Sequence, residues 1–159
     1  MFYLESSRDP LRIADGSSHV LIRERLAEFD APVIRDALDL VTESSQVIFR
    51  PLDITLVPTP WHRGRVVLLG DAAHAPTPQM TSGAGMAVED AIVLAECLAS
   101  SESAGEALTN YDARRFDRVK RIYDASLQLC LNEQEDPVGN KDRSAGLLLK
   151  TYQYLGQPI

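Results

Sequence analysis

The sequence predicts an α/β domain in which one buried strand is followed by long helices. Three observations support this fold class. Residues 65–69 form an almost continuous apolar run that ends in Gly70, as in a strand buried on both faces. Residues 84–99 are apolar on most sides and predict a largely buried helix. The Ser-x-x-Glu sequence at 103–106 has the spacing of a capping box and predicts a helix to about residue 131.

The residues before this strand predict two helices and several short extended segments. Met1–Leu4 is apolar and aromatic, as in a short strand. Apolar positions recur with helical spacing from Ser18, and a second helix is predicted after Asp30, with a buried stripe along residues 33–41. Two extended pieces follow within residues 46–57, and their prolines do not suit a central strand.

After the long helix, the sequence predicts a loop and one more helix. Residues 132–143 are polar and contain a proline and a glycine, which predicts a loop. Residues 146–155 predict a short final helix. The chain contains neither an internal repeat nor a low-complexity segment.

Composition bounds the classes of function. With 159 residues, 45% of them hydrophobic, the chain can bury a core of about one domain. A net charge of -7 argues against nucleic acid as a partner. Without an apolar run of about 18 residues or a secretory leader, we expect a cytoplasmic protein with no membrane partner. Cys97 and Cys130 lack the spacing of a metal site, so we interpret both as reduced core residues.

The turn after the predicted strand is the first candidate site. Gly70 allows a sharp turn, and the carboxylate of Asp71 at a strand end can accept hydrogen bonds from ligand hydroxyl groups. The same carboxylate could instead cap the turn. Neither interpretation is excluded by these two residues alone.

A second candidate is the start of the helix at residues 83–86. Gly83-Ala84-Gly85 places backbone without side chains where several N–H groups of a helix lack partners, which favours an anion. The glycines would also let a flat ring approach the backbone. The alternative is that Gly83 and Gly85 serve only close helix packing.

Together, these motifs resemble the second FAD motif of class A flavoprotein monooxygenases, with the spacing of salicylate-hydroxylase-like members. The matching positions are Trp61, Gly64, Arg65, Gly70, Asp71, His74, Pro78, Gly83, Gly85, Glu89, Asp90 and Ala91. Residues 111–118, which contain three arginines, resemble the Arg-rich helix that follows in the same family. The resemblance covers about residues 1–131 and is strongest between 60 and 118.

The resemblance implies a fold and domain limits. It indicates the C-terminal portion of an FAD- and NAD(P)-binding, Rossmann-like monooxygenase fold. Residues 1–58 would then be the tail of the substrate-domain sheet with its helices, and residues 59–131 the C-terminal part of the FAD-binding domain. Residues 132–159 would be a C-terminal loop and short helix.

The resemblance also implies roles for individual residues. Gly70 and Asp71 would contact FAD, with Asp71 hydrogen-bonded to the ribityl chain. Pro78 would lie beside the flavin ring. The backbone of Gly83, Ala84, Gly85 and Met86 would face the pyrimidine end of the ring, where reduction places negative charge that a helix N-terminus stabilises.

The implied activity is hydroxylation of a small aromatic substrate, with NADH or NADPH as the reductant of FAD. We assign no catalytic acid or base in this chain. His74 could act as a base, but we interpret it as a structural hydrogen-bonding residue. Arg114, Arg115 and Arg118 could meet a nicotinamide phosphate, although ion pairs are the favoured interpretation. A flavin dehydrogenase or halogenase is a lesser alternative.

The family also has a Gly-x-Gly-x-x-Gly turn for the pyrophosphate, and these 159 residues contain none. We therefore expect the isolated chain to bind FAD weakly or not at all and to lack turnover. A truncation, an internal start and one half of an enzyme whose FAD-binding N-terminal half is a separate chain all remain open. The alternative class is an interaction module that does not bind flavin. Unpaired apolar surfaces would favour self-association.

Overall fold

The computed structural model describes residues 12–50 and 53–159. The chain divides into two compact units, Met1–Leu52 and Asp53–Ile159. The predicted strand at Met1–Leu4 lies outside the described residues. The domain limits inferred from the sequence stay a prediction.

The described part of the first unit is a pair of helices and a short turn. Helix α1 spans Ser18–Leu26, helix α2 spans Pro32–Leu40, and a 3₁₀ turn follows at Ser44–Gln46. Arg23 of α1 donates to the backbone carbonyls of Leu38 and Val41. Both predicted helices are confirmed.

The predicted buried stripe along α2 is wrong. No residue of this helix is buried, and Val33 is 70% exposed. Within its own unit α2 packs mainly against α1, and one neighbouring helix cannot cover an apolar stripe completely. An apolar position at helical spacing therefore does not guarantee burial.

The second unit begins with four two-residue strands and two tight turns. The strands are β1 at Thr55–Leu56, β2 at His62–Arg63, β3 at Val66–Val67 and β4 at His74–Ala75. Strand β1 pairs antiparallel with β4, and β2 pairs antiparallel with β3. The 3₁₀ turns lie at Gly70–Ala72 and Pro78–Met80.

The prediction of a strand buried on both faces at residues 65–69 is wrong. Only Val66 and Val67 form strand structure there, and Val66 is 70% exposed. Among the described residues β3 pairs with β2 alone, so it has neither a second neighbouring strand nor helices on both faces. An apolar run specifies a tendency to be buried, but the covering elements must also be present.

Three helices complete the second unit. They are α3 at Gly83–Ser100, α4 at Ala104–Glu135 and α5 at Lys141–Leu155. The capping prediction is confirmed, because the Ser103 side chain accepts a 3.2 Å hydrogen bond from the Glu106 N–H. The predicted loop at 132–143 is too long, since α4 continues to Glu135 and α5 begins at Lys141.

Helix α3 is buried on one side only. Met86, Asp90, Val93 and Cys97 are buried, and α3 makes its most extensive packing contact with α4. On the opposite side Val88 is 61% and Ile92 is 47% exposed. The prediction of a largely buried helix is therefore wrong for that side, because the described part of the chain supplies no element to cover it.

Trp61 lies at the centre of the core. It is 1% exposed, and its ring packs with the rings of His74, Tyr111 and Phe116 at centroid distances of 5.6 to 6.0 Å. Its indole N–H donates to the Val57 carbonyl at 2.7 Å. Trp61 is therefore a packing residue of the core.

None of the helices in the described residues combines the length and apolarity needed to cross a membrane.

Candidate functional site

The Gly70–Ala72 turn requires glycine at its first position. Gly70 is buried and has φ 57°, in the left-handed region that glycine adopts most readily. A Cβ added there would lie 3.0 Å from the Cβ of Ala87 on α3. The turn therefore packs tightly on the helix, and the next residue, Asp71, is left exposed at its surface.

The buried carboxylate of Asp90 holds this turn through hydrogen bonds. Asp90 of α3 is fully buried, and its Oδ2 accepts from the Gly70 N–H at 2.8 Å and from His74 Nε2 at 2.6 Å. Its Oδ1 accepts from Arg115 Nε at 2.7 Å. Burial alone would raise the pKa of Asp90, but the hydrogen bonds from His74, Gly70 and Arg115 outweigh it and lower the pKa.

Glu89 extends this cluster to the other two helices. Its carboxylate accepts from Arg115 Nη1 at 2.7 Å and from two nitrogens of Arg118 at 2.8 Å each. Arg118 also donates to the Leu155 carbonyl at the end of α5 at 2.9 Å. Burial raises the pKa of Glu89, but the hydrogen bonds from Arg118 and Arg115 lower it overall.

The structure decides two interpretations that the sequence left open. His74 is buried and bonded to Asp90, so its structural role is confirmed. Arg114, Arg115 and Arg118 of α4 do form ion pairs, all with acidic residues of α3, and Arg114 pairs with Glu96 at 2.8 Å. Glu89 and Asp90 are adjacent acidic residues of α3. Asp90 accepts a hydrogen bond from a backbone N–H, whereas Glu89 binds guanidinium groups.

The start of α3 presents backbone donors without a side-chain cap. Ser82, the N-cap residue, makes no capping hydrogen bond, and the first helical bond runs from the Met86 N–H to the Ser82 carbonyl at 2.9 Å. The N–H groups of Gly83, Ala84 and Gly85 thus precede the helical ladder. Among the described residues, no atom lies within 4 Å of a Cβ added at Gly85. Packing among the described residues therefore does not explain that glycine.

Side chains of α4 and α5 hold the Pro78–Met80 turn through hydrogen bonds. Ser126 of α4 is buried, donates to the Thr77 carbonyl at 2.6 Å and accepts from the Met80 N–H at 3.3 Å. Tyr152 of α5 donates to the Met80 carbonyl at 3.0 Å. Pro78 is half-buried. Neither Ser126 nor Tyr152 was predicted from the sequence. Ser126 is buried and Tyr152 is 45% exposed, and the residues that they bond lie 46 and 72 positions earlier in the chain.

All the residues predicted to contact flavin lie on one continuous segment, residues 70–86. The segment consists of two tight turns and the first turn of α3, with each tight turn held by buried polar side chains. Their contacts with flavin stay a prediction. Among the described residues no group of His, Cys, Asp or Glu could hold a metal ion.

Comparison with known proteins identifies the family. The family described as FAD binding domain matches residues 38–126, which include both turns, α3 and most of α4. The chain belongs to this FAD-binding family. The resemblance to FAD-dependent monooxygenases drawn from the motifs is thereby confirmed, and FAD is the cofactor of the family.

Curated relatives of the chain are monooxygenases by name. The chain is 34% identical over 138 residues to 6-hydroxynicotinate 3-monooxygenase of Pseudomonas fluorescens, an alignment that covers 85% of this chain and 32% of that protein. It is 41% identical over 68 residues to the FAD-dependent urate hydroxylase of Klebsiella pneumoniae, covering 43% of this chain and 18% of the relative.

Solved structures extend the likeness to the fold. The crystal structure of Klebsiella pneumoniae HpxO complexed with FAD and uric acid aligns with a TM-score of 0.67 and 26% identity, over 92% of this chain and 38% of that one. The predicted α/β class holds only coarsely, since the chain is mostly helical with short strands. The chain spans a third or less of the length of these curated relatives.

Proposed function

We propose that this chain forms the flavin-ring side of an FAD site in a monooxygenase that hydroxylates a small aromatic substrate with NADH or NADPH as reductant. FAD, when bound, supplies the redox chemistry and the activation of oxygen. The residues of this chain bind and orient it. Asp71 accepts hydrogen bonds from ribityl hydroxyl groups, and Pro78 borders the ring.

The start of α3 has an electrostatic part in this function. The N–H groups of Gly83, Ala84 and Gly85, together with the helix dipole, would stabilise the negative charge that develops at the pyrimidine end of a bound flavin when it is reduced. Because these donors are fixed by the backbone, they need no reorganisation when the charge appears.

One observation carries the proposal. Gly85 has open space where a side chain would be, at an uncapped helix start, within the region that matches the FAD-binding family. Packing among the described residues does not require glycine there, and backbone without a side chain lets a flat ring approach closely. This fits a flavin better than it fits an interface within the chain.

Titration of the purified chain with flavin tests the proposal. The 159 residues contain no Gly-x-Gly-x-x-Gly turn for the pyrophosphate, so we expect weak binding in which FAD and FMN have similar affinities. Quenching of flavin fluorescence reports the binding. Asp71→Ala should abolish it, while Asp117→Ala, at an exposed aspartate of α4, should not.

Two results would contradict the proposal. Equal flavin binding by wild type and Asp71→Ala would exclude the predicted site. No binding at millimolar FMN, and none after addition of a polypeptide that carries a Gly-x-Gly-x-x-Gly half, would favour the alternative of an interaction module indifferent to flavin. We expect no hydroxylation by the chain alone, and turnover only when such a half and an aromatic substrate are supplied.

A further inference from the structure

Asp90 makes more polar contacts than a simple core ion pair needs. Its two oxygens accept from a backbone N–H, a histidine and an arginine, all between 2.6 and 2.8 Å. These donors lie on the Gly70 turn, β4 and α4, and Asp90 itself is in the second turn of α3. One carboxylate therefore connects four elements of the second unit.

The hydrogen bond from the Gly70 N–H connects the Asp90 carboxylate to the candidate flavin site. The Gly70 N–H belongs to the peptide immediately before the turn that presents Asp71. The same arginine that binds Asp90 donates to the Met86 carbonyl in the first turn of α3 at 3.3 Å. Asp90 and Arg115 therefore contact both parts of the proposed site, which are the Gly70 turn and the first turn of α3. Both side chains are themselves buried.

We infer that Asp90 is a positioning residue for flavin: it holds the Gly70–Asp71 turn against the start of α3 so that Asp71 and the free N–H groups act on one ligand. This inference rests on the proposed function. Asp90 does not touch the ligand, and it acts through the Gly70 N–H.

The chain provides a matched control. Asp112 of α4 is also buried, and it also accepts from a backbone N–H, that of Trp61 at 3.2 Å, and from a histidine, His62, at 3.0 Å. Its partners lie at β2, before the Gly70 turn. A variant at Asp112 therefore removes the same kind of hydrogen bonds without removing any from that turn.

The first measurement is amide hydrogen exchange of the flavin-free chain. Asp90→Asn should speed exchange at Gly70 by about tenfold or more, the effect of losing a hydrogen bond to a charged acceptor. Asp112→Asn should instead speed exchange at Trp61 and leave Gly70 unchanged. If Asp90→Asn does not fold, His74→Leu removes one of the three hydrogen bonds that orient the Asp90 carboxylate and should speed exchange at Gly70 by a smaller factor.

The second measurement is binding of FMN, with the visible circular dichroism of the flavin as a reporter of its surroundings. Asp90→Asn should weaken the Kd by roughly tenfold and diminish the induced signal, whereas Asp112→Asn should preserve both. Unchanged Gly70 exchange in a folded Asp90 variant would overturn the inference, as would faster exchange with unchanged flavin affinity. If wild type binds no flavin either alone or with a polypeptide that carries a Gly-x-Gly-x-x-Gly half, the proposed function fails, and the exchange comparison alone decides whether Asp90 holds the turn.

Discussion

Gly70 is the residue whose backbone conformation the turn depends on most directly. Its φ of 57° is costly for other residues, and an added Cβ would contact Ala87 at 3.0 Å. We expect Gly70→Ala to lower the free energy of unfolding by about 2–4 kcal/mol, since left-handed strain and overpacking add. Urea denaturation measures this loss.

The control for Gly70 is Gly146 in the middle of α5. No described atom lies within 4 Å of a Cβ added there, and its backbone is helical. Gly146→Ala should therefore stabilise the chain by up to about 1 kcal/mol through helix propensity. Equal effects of the two substitutions would show that the Gly70 turn is not as tightly packed as described.

The buried carboxylates predict a pH dependence of stability. The pKa values of Asp90 and Glu89 are lowered in the folded state, so the unfolded chain binds more protons when the medium becomes acidic. Their contribution is present above the ordinary carboxyl pKa of about 4 and is lost as the pH falls through the lowered values.

Thermal unfolding between about pH 6 and pH 3 measures this dependence. The unfolding midpoint of the wild type should fall on acidification, and the fall should be smaller in the Asp90→Asn, Glu89→Gln double variant. Asp117→Asn, at an exposed carboxylate, should follow the wild type. A double variant with the same acid sensitivity as wild type would contradict the assignment.

At the scale of elements, α4 and α5 hold the Pro78–Met80 turn, whereas Asp90 of α3 holds the Gly70–Ala72 turn. Ser126 makes three hydrogen bonds to the segment 77–80 from within the core. Ser126→Ala leaves the Met80 N–H without this partner and should cost about 1–3 kcal/mol of stability. Ser100→Ala, at the exposed end of α3, should change stability by less than about 0.5 kcal/mol.

The Ser126 prediction has a local readout as well as a global one. Amide exchange at Met80 should rise in Ser126→Ala and stay unchanged in Ser100→Ala. If Met80 keeps its protection in the variant, the Pro78–Met80 turn is held by Tyr152 alone, and Ser126 has no part in it.

How far each element could be predicted depended on the range of its interactions. The helices α1 to α4 begin within a residue or two of their predicted starts, because caps, prolines and helical spacing are local signals. The prediction of a buried strand at 65–69 was wrong, because burial of a strand depends on partners far along the chain. For the site, glycines and acids were visible as a motif, whereas Ser126 lies 49 residues from the hydroxyl it bonds.

At the scale of the whole molecule, an apolar helix face is left exposed. The outward face of α3, formed by Ala84, Val88, Ala91, Ile92, Ala95 and Ala99, carries no charged residue. Such a face favours contact with another apolar surface. We expect the purified chain to self-associate with rising concentration and to bind an apolar dye, as sedimentation velocity and dye fluorescence would show.

Substitutions on α3 test that expectation. Val88→Lys with Ile92→Lys should reduce both association and dye binding, because both side chains are exposed and their replacement leaves the core intact. Val138→Lys, at another exposed valine in the loop before α5, should change neither. A monomeric wild type that binds no dye at high concentration would contradict the expectation.

The sequence was sufficient for the family, the order of the helices and the residues of the candidate flavin segment, because each rests on local spacing of glycine, proline, acidic and apolar residues. It was insufficient for what holds that segment in place. Asp90 with His74 and Arg115, and Ser126 with Thr77, are separated by 16 to 49 residues and meet only when α3 and α4 pack. The packing of helices and turns decides which side chains are buried and which distant polar groups form hydrogen bonds. No local sequence pattern indicates these contacts.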